Sequence, residues 1–346
     1  MNSISKKKLS YRINEELFMY LEEFGRLEEL PFRYPDLLRY TYSVPLYDKY
    51  GKDTLWETVY FQPTEMEELN QRLVKTYAMM KVEGNISLME HLYVDRIDYC
   101  PFGNSRPFRI RIKNQYNDNY DYFYVKLADA SRVYGLELED LLSPNRINYL
   151  VDADTLIEEH IVGIPGDLFI KNQLNDQAVN PTRLAKEFIK FNERCFVRLL
   201  GDMRSYNFVI DMTADFDDTQ FRFRAIDFDQ QCYEGKKSLY LPQYFKENNP
   251  YVNLCVKFIN RETARQYQLE ERTLMARRVK TARFRVASLL DVMIRDEISL
   301  KVKVEQLREE MAHHYHRPQF NKSKSMGDIL RISLDQLFEP DTGFRD

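Results

Sequence analysis

The sequence predicts an α+β fold, and three observations carry the prediction. Apolar and charged residues alternate through Phe108-Arg109-Ile110-Arg111-Ile112, and a partner run, Tyr122-Phe123-Tyr124-Val125-Lys126-Leu127, follows the turn signal Asn117-Asp118-Asn119. Leu184, Phe188 and Phe191 recur at helical spacing behind an Asn180-Pro181 start, where Asn can cap free amides and Pro suits the first helical position. From Tyr251 onward the pattern is mostly helical.

Taken in order, Glu15 to Leu30 carries Leu17, Phe18, Leu21, Phe24 and Leu27 at near-helical spacing until Pro31 and Pro35 break it. Thr54 to Gln62 reads as a strand. Thr64 opens a helix through Met80, with Met66, Leu69, Leu73, Tyr77 and Met80 on one face, and Gly84 ends it. Residues 91 to 127 read as strands, with Pro107 at a strand entry because proline cannot donate to a ladder. Ser131 to Leu142 is helix-like, Asp154 to Ile161 is expected to be helical, and a turn at Gly163 to Asp167 leads into an expected strand, Leu168-Phe169-Ile170. The helix from Pro181 runs into Cys195 to Leu200, expected as a short strand. Phe208-Val209-Ile210 and Phe221 to Ile226 are the arms of a hairpin across the polar stretch Thr213 to Thr219. Farther on, Leu274, Val279, Ala282, Val286, Leu289 and Met293 form an apolar stripe, and the Lys/Ser-rich segment Arg317 to Met326 is expected to be mobile.

A chain of 346 residues with 44% hydrophobic content can bury a sizeable core as one large domain or two small ones. The balance of 50 basic against 54 acidic residues, net charge −4, argues against a dedicated nucleic-acid binder. A local basic run at Arg272, Arg277, Arg278, Lys280, Arg283 and Arg285 reads as a solvated helix face. The four cysteines, Cys100, Cys195, Cys232 and Cys255, contain no Cys-x-x-Cys pair, so no zinc pattern exists and reduced thiols are expected. His313-His314-Tyr315-His316 lacks a fixed Cys or Asp partner and reads as a helix-end surface cluster. The polar start and the lack of any apolar run near the ~18–20 residues of a membrane span lead to the expectation of a cytoplasmic protein without a membrane partner.

Chemistry concentrates in two segments, Gly201-Asp202-Met203-Arg204-Ser205-Tyr206-Asn207-Phe208-Val209-Ile210 and Arg224-Ala225-Ile226-Asp227-Phe228-Asp229. A hairpin between them sets its open ends side by side, so Asn207 lies near Asp227. Two oxygen ligands then converge, as a hard, octahedral magnesium ion prefers.

These segments resemble the protein-kinase-like superfamily. The Gly-Asp-x-x-x-x-Asn form is nearer the aminoglycoside and choline kinases than the His-Arg-Asp form of protein kinases. The resemblance implies a two-lobed kinase-like fold: residues 1–90 an N-terminal extension packed on it, 91–175 an N-lobe, 176–346 a C-lobe with a helical C-terminal region. It implies ATP and Mg2+ as cofactors. Asp202 would orient an acceptor hydroxyl, Asn207 and Asp227 would hold magnesium, and Arg204 would offset charge on the transferring phosphoryl group. Asp229 replaces the Gly of Asp-Phe-Gly and either adds a metal ligand or caps the next turn. Leu200 and Gly201 stand in place of His-Arg, which argues against control by a phosphorylated activation loop.

The same resemblance makes Lys126, near the end of an apolar strand, the phosphate-binding lysine. Such a lysine needs a Glu from a helix. Glu158 and Glu159 are the candidates, Glu159 preferred, with Glu137 and Glu139 competing. The loop Pro101-Phe102-Gly103-Asn104-Ser105 would cover the phosphates through Gly103 and Ser105, although it has a single glycine. The implied activity is γ-phosphoryl transfer from ATP to a hydroxyl of a small molecule or protein that no motif identifies. The alternatives are a pseudokinase that binds nucleotide or a partner, an AMP transferase on the same metal site, and a nucleic-acid scaffold resting on residues 272–285, which the net charge disfavours.

Overall fold

A computed structural model describes residues 8–82, 91–102, 104–215 and 218–338. It is α+β, with a seven-stranded antiparallel sheet, a three-stranded antiparallel sheet and a majority of helical residues in the C-terminal part. Residues 12–130 with 147–160 form one compact unit, and the remaining described residues form a second.

In the sheet unit, α1 (Glu15–Glu23) begins at Asn14, whose side chain accepts from the Leu17 amide at 2.8 Å. It stops short of the expected Leu30. Gly25 takes a left-handed turn at φ +65, and Leu27 bridges Val151 instead. Pro35 opens the single turn α2 (Tyr34–Leu37). Next come β1 (Tyr42–Tyr47), β2 (Asp53–Tyr60) and α3 (Pro63–Val82). The expected stop at Gly84 lies outside the described residues. The chain continues through β3 (Leu92–Tyr99), β4 (Phe108–Asn114) and β5 (Tyr120–Leu127), and returns later as β6 (Tyr149–Asp152) and β7 (Thr155–Glu159). The sheet order is β1-β2-β3-β4-β5-β7-β6. Residues 42–60, read from sequence as part of an extension, therefore share the sheet with residues 92–127. Leu69, Leu73, Tyr77 and Met80 of α3 pack with Ile97, Phe108, Ile110, Phe123 and Val125 in one core.

Asp154 to Ile161 is not a helix. Its central residues pair with β5 on one side and β6 on the other, and Thr155 to Glu158 are all buried. A strand buried on both faces shows a continuous apolar run whose period does not separate it from a helix.

The second unit contains α4 (Ala130–Leu142), β8 (Ile164–Pro165), α5 (Gly166–Asn172), α6 (Pro181–Val197), β9 (Phe208–Asp215) and β10 (Asp218–Ala225), then α7 (Asn249–Phe258), α8 (Arg261–Thr281), α9 (Arg283–Arg295), α10 (Lys301–Tyr315) and α11 (Met326–Asp335). The segment expected as strand 168–170 is the middle of α5, which follows Pro165 and buries Phe169. Cys195 to Leu200 is not a strand either. Helix α6 persists to Val197, Leu199 turns with φ 57, and only Leu200 makes a bridge, to Gln231. Phe188, Phe191, Phe208, Phe223 and Tyr251 form an aromatic core behind the hairpin, with centroid distances of 5.2–5.9 Å.

The apolar stripe breaks where α8 passes into α9 at Ala282. Val286, Leu289 and Met293 are buried, whereas Leu274 is exposed and Met275 takes its place. The segment 317–326 is held in place: Phe320 is fully buried and stacks on Tyr315 at 5.6 Å. Within the basic run, Arg272 Nε donates to Glu193 at 2.5 Å and Arg285 grips Glu137 at 2.7 and 3.1 Å, so these two charges serve internal packing. The four cysteines are free, and burial pushes the Cys195 and Cys232 thiols up to about 12. Among the described residues no helix is long and apolar enough to cross a membrane.

Candidate functional site

Backbone hydrogen bonds tether the loop between α6 and β9 at three points. Cys232 N donates to Leu199 O at 2.9 Å, Gly201 N to Gln230 O at 3.2 Å and Asp202 N to Leu239 O at 3.1 Å. A side chain at Gly201 would sit 3.1 Å from the Gln230 carbonyl, so glycine allows this close approach. Asp202 itself has φ 57, in the left-handed region that a non-glycine residue seldom occupies. The turn then closes with Arg204 N on Asp202 O and Asn207 N on Arg204 O, each at 2.8 Å.

Asn207 ties the loop to the hairpin. Its Nδ2 donates to Asp202 O at 2.7 Å, which leaves Oδ1 as the acceptor end of the amide. Beyond it, β9 and β10 pair in register to Phe208↔Ala225, and Ile226 N donates to Asn207 O at 3.0 Å. The hairpin therefore brings Asn207 and Asp227 beside each other at its open end.

Asp202 is partly buried. Burial pushes its carboxyl up to about 6, against the hydrogen bond and charge of Arg204, with Asp227 and Glu247 adding repulsion. Arg204 Nε donates to Asp202 Oδ1 at 2.8 Å and its NH1 to Glu247 Oε1 at 2.7 Å. Asp227 Oδ1 accepts the Asp229 amide at 3.0 Å, so the residue that departs from Asp-Phe-Gly is held in a local turn.

Arg132, from α4, is a member of this site with no counterpart in the sequence motifs. Its guanidinium is 2% exposed and reaches Asp229 Oδ1 at 2.7 Å and Asp227 Oδ1 at 2.9 Å, while Asp227 stays 35% exposed. Nothing in the local sequence marked it, since the same helix also carries Glu137, Glu139 and Asp140. Glu247 had no local signal.

The sheet unit carries Lys126, Glu158, Glu159 and Ser105, also singled out in the sequence. Lys126 Nζ donates to Glu158 Oε2 at 2.6 Å, and both side chains are buried. Glu158 comes from strand β7 and not from a helix. It pairs across from Tyr124, so it is the diagonal neighbour of Lys126 on the same face of the sheet. Glu159, the sequence preference, points to the opposite face. Its Oε1 accepts the Asn148 amide at 2.8 Å. Glu137 and Glu139 do not compete, since they bind Arg285 and Arg198. Ser105 is buried and its carbonyl accepts Leu127 N at 3.4 Å, beside Lys126 in the chain. Gly103 lies outside the described residues.

Asn207, Asp227 and Asp229 offer one amide and two carboxylate groups, the hard oxygen donors that suit magnesium. Among the described residues no group of three or more His, Cys, Asp or Glu could hold a metal ion, and Arg132 already engages one oxygen of each aspartate. The donor set therefore does not form a cage made by protein alone. No protein-family model matches this chain, and no curated protein matches it in sequence.

Proposed function

We propose that the chain is an ATP- and magnesium-dependent phosphotransferase of the protein-kinase-like type, acting on a hydroxyl acceptor. One observation carries the reading. The hairpin register sets Asn207 beside Asp227, and the Asn207 amide is turned back onto the loop of a strained, partly buried Asp202. Burial and neighbouring carboxylates push the Asp202 carboxyl up to about 6, a perturbation of the kind that clusters at functional sites.

In this reading Asp202 accepts the proton of the acceptor hydroxyl as that oxygen bonds to the γ-phosphorus. The bond from phosphorus to the β–γ bridging oxygen breaks, and ADP leaves. A carboxylate of raised pKa is a better base near neutral pH than an ordinary one. Arg204 holds the Asp202 carboxylate in one pose and supplies positive charge nearby. Asn207 and Asp227, with Asp229, would hold magnesium, which supplies charge neutralisation for the nucleotide phosphates. The phosphate-binding lysine is Lys126, kept extended by Glu158.

Incubation with magnesium and either γ-labelled or α-labelled ATP tests the reading. Transfer of the γ label supports it, and transfer of the α label replaces it with AMP transfer. A second reading has its own observation. Arg132 already neutralises Asp227 and Asp229, as a nucleotide-binding pseudokinase would tolerate. Nucleotide binding without transfer of either label favours that reading.

A further inference from the structure

Helix α4 is locked to the segment Asp227-Phe228-Asp229 by shape and by charge. A Cβ at Gly135 would meet Phe228 Cβ at 2.8 Å and Gln231 Cβ at 3.2 Å, so glycine is what permits the close approach. One turn earlier, Arg132 Nε donates to Asp229 Oδ1 at 2.7 Å and its Nη2 to Asp227 Oδ1 at 2.9 Å. The helix is also tied down from other sides. Tyr134 donates to Asp296 at 2.8 Å, Glu137 takes Arg285 at 2.7 Å, and Glu139 pairs with Arg198. Arg132 therefore rides on an element with little freedom to withdraw.

A guanidinium keeps its charge at every working pH. At 2% exposure it cannot exchange the aspartates for water, and leaving it unpaired in the interior is costly. Asp227 Oδ1 accepts the Asp229 amide as well, at 3.0 Å, so both lone-pair directions of that oxygen are engaged within the protein. In the phosphotransferase reading, on which this rests, Asp227 and Asp229 are also the carboxylates of the magnesium site.

We propose that Arg132 is a tethered cation that competes with the divalent ion for Asp227 and Asp229, and that this competition makes metal loading depend on nucleotide. Arg132 cancels one of the two aspartate charges. A divalent ion gains less from a pair already half neutralised, and it must share their oxygens with a cation too buried to leave. Nucleotide phosphates bring the missing oxygens and negative charge, the usual way magnesium is held in phosphoryl-transfer sites. Arg132 is the residue that sets this threshold.

Manganese is the probe, counted by electron paramagnetic resonance on the full chain with no nucleotide present. The parent should bind Mn2+ at these aspartates more weakly than about 1 mM, and Arg132→Gln should bind it about tenfold or more tightly than the parent. Arg132→Gln/Asp227→Asn should lose that gain. Arg132→Lys keeps the charge without the fork and should fall between the parent and Arg132→Gln. Melting covers the case in which Arg132→Gln folds poorly: Mn2+ should raise the Tm of that variant and leave the Tm of the parent in place. Equal Mn2+ affinity in the parent and Arg132→Gln, a gain that survives Asp227→Asn, or a variant Tm indifferent to Mn2+ overturns the proposal. The measurement needs no ATP and no acceptor. A chain that transfers the γ label yet shows equal affinities loses the competition alone, and a chain that transfers no label yet shows the gain keeps it.

Discussion

Glu139 and Asp202 are both carboxyl groups held by arginine in the same unit, and they end in opposite states. Burial acts to raise Glu139, yet the charges of Arg198 and Arg194 outweigh it and hold its pKa below the usual carboxylate range. Burial also raises Asp202, and there it wins, because its one arginine is shared with Glu247 and because Asp227 adds repulsion. The difference is in the count of charges. Around Glu139 cations match anions: Arg194 pairs with Glu271 at 2.6 Å, Arg198 with Glu139, and all four side chains are nearly sealed from water. Around Asp202 the ion pairs set four carboxylates, Asp202, Asp227, Asp229 and Glu247, against two arginines, Arg204 and Arg132. A balanced cluster serves the fold. In the proposed reading, an unbalanced one keeps a proton-accepting group poised.

The comparison breaks first at Asp202. Asp202→Asn should lower the rate of phosphoryl transfer by about 10²–10⁴-fold, the range of a lost general base. It should leave the melting temperature at pH 7 at or above that of the parent. A group whose folded pKa is raised makes ionisation unfavourable in the fold, so its removal relieves a cost that is present at neutral pH and disappears as pH falls through about 6 towards the unfolded value. A melt that drops by many degrees would move Asp202 into the structural class.

Arg198→Ala should do the reverse. It leaves Glu139 buried with one cation fewer, which costs about 3–5 kcal/mol of stability in urea unfolding at pH 7. The folded pKa of Glu139 is depressed, so the stability its ionised form contributes is present above the ordinary carboxylate value and is lost as pH falls through the folded value. The gap between parent and variant therefore narrows in acid. A constant gap from pH 7 to acid would show that packing, and not charge, is what Arg198 supplies.

Lys126, the proposed phosphate-binding residue, tests whether one residue can belong to both classes. Its pair with Glu158 is buried as deeply as the structural pairs, so the lysine is not the exposed hairpin-edge residue that sequence alone allows. Lys126→Met should cost about 3 kcal/mol by removing the buried cation beside Glu158, and adding Glu158→Gln should restore most of it. Nucleotide affinity should stay weak in the restored double variant. If affinity recovers with stability, Lys126 acts only by holding the sheet.

The parts of this molecule legible in sequence are those set by neighbours along the chain. The β9–β10 hairpin, the Asn180 cap and the apolar face of α3 follow from alternation, capping chemistry and helical period within short windows. Asn207 and Asp227 meet because a hairpin is a local object. What sequence could not supply depends on distant partners. Arg132 reaches Asp227 across 95 residues, and the strand character of Thr155–Glu159 comes from β5 and β6 on either side. Strand β1 escaped notice because Tyr42, Val44 and Tyr47 are exposed, so it lacks the half-buried alternation that marks a strand. The choice of Glu158 over Glu159 reduces to which face of β7 looks toward Lys126, a matter of register.

The smallest expected effect is also the sharpest on the charge count. With Asp202 as the base, kcat/KM should rise with pH through a limb near 6, since only the ionised carboxyl accepts the proton. Two neighbours pull on that limb from opposite sides. Glu247 repels the charged form, so Glu247→Gln should move the limb to lower pH. Arg204 attracts it, so Arg204→Gln should move the limb to higher pH, and Arg204→Lys should return part of the way because a charge remains without the fork that also reaches Glu247. Loss of a merely structural contact would depress the whole profile and leave its midpoint in place. Opposite displacements of the midpoint are what an unbalanced cluster requires, and two displacements of the same sign would show that the limb belongs to another group.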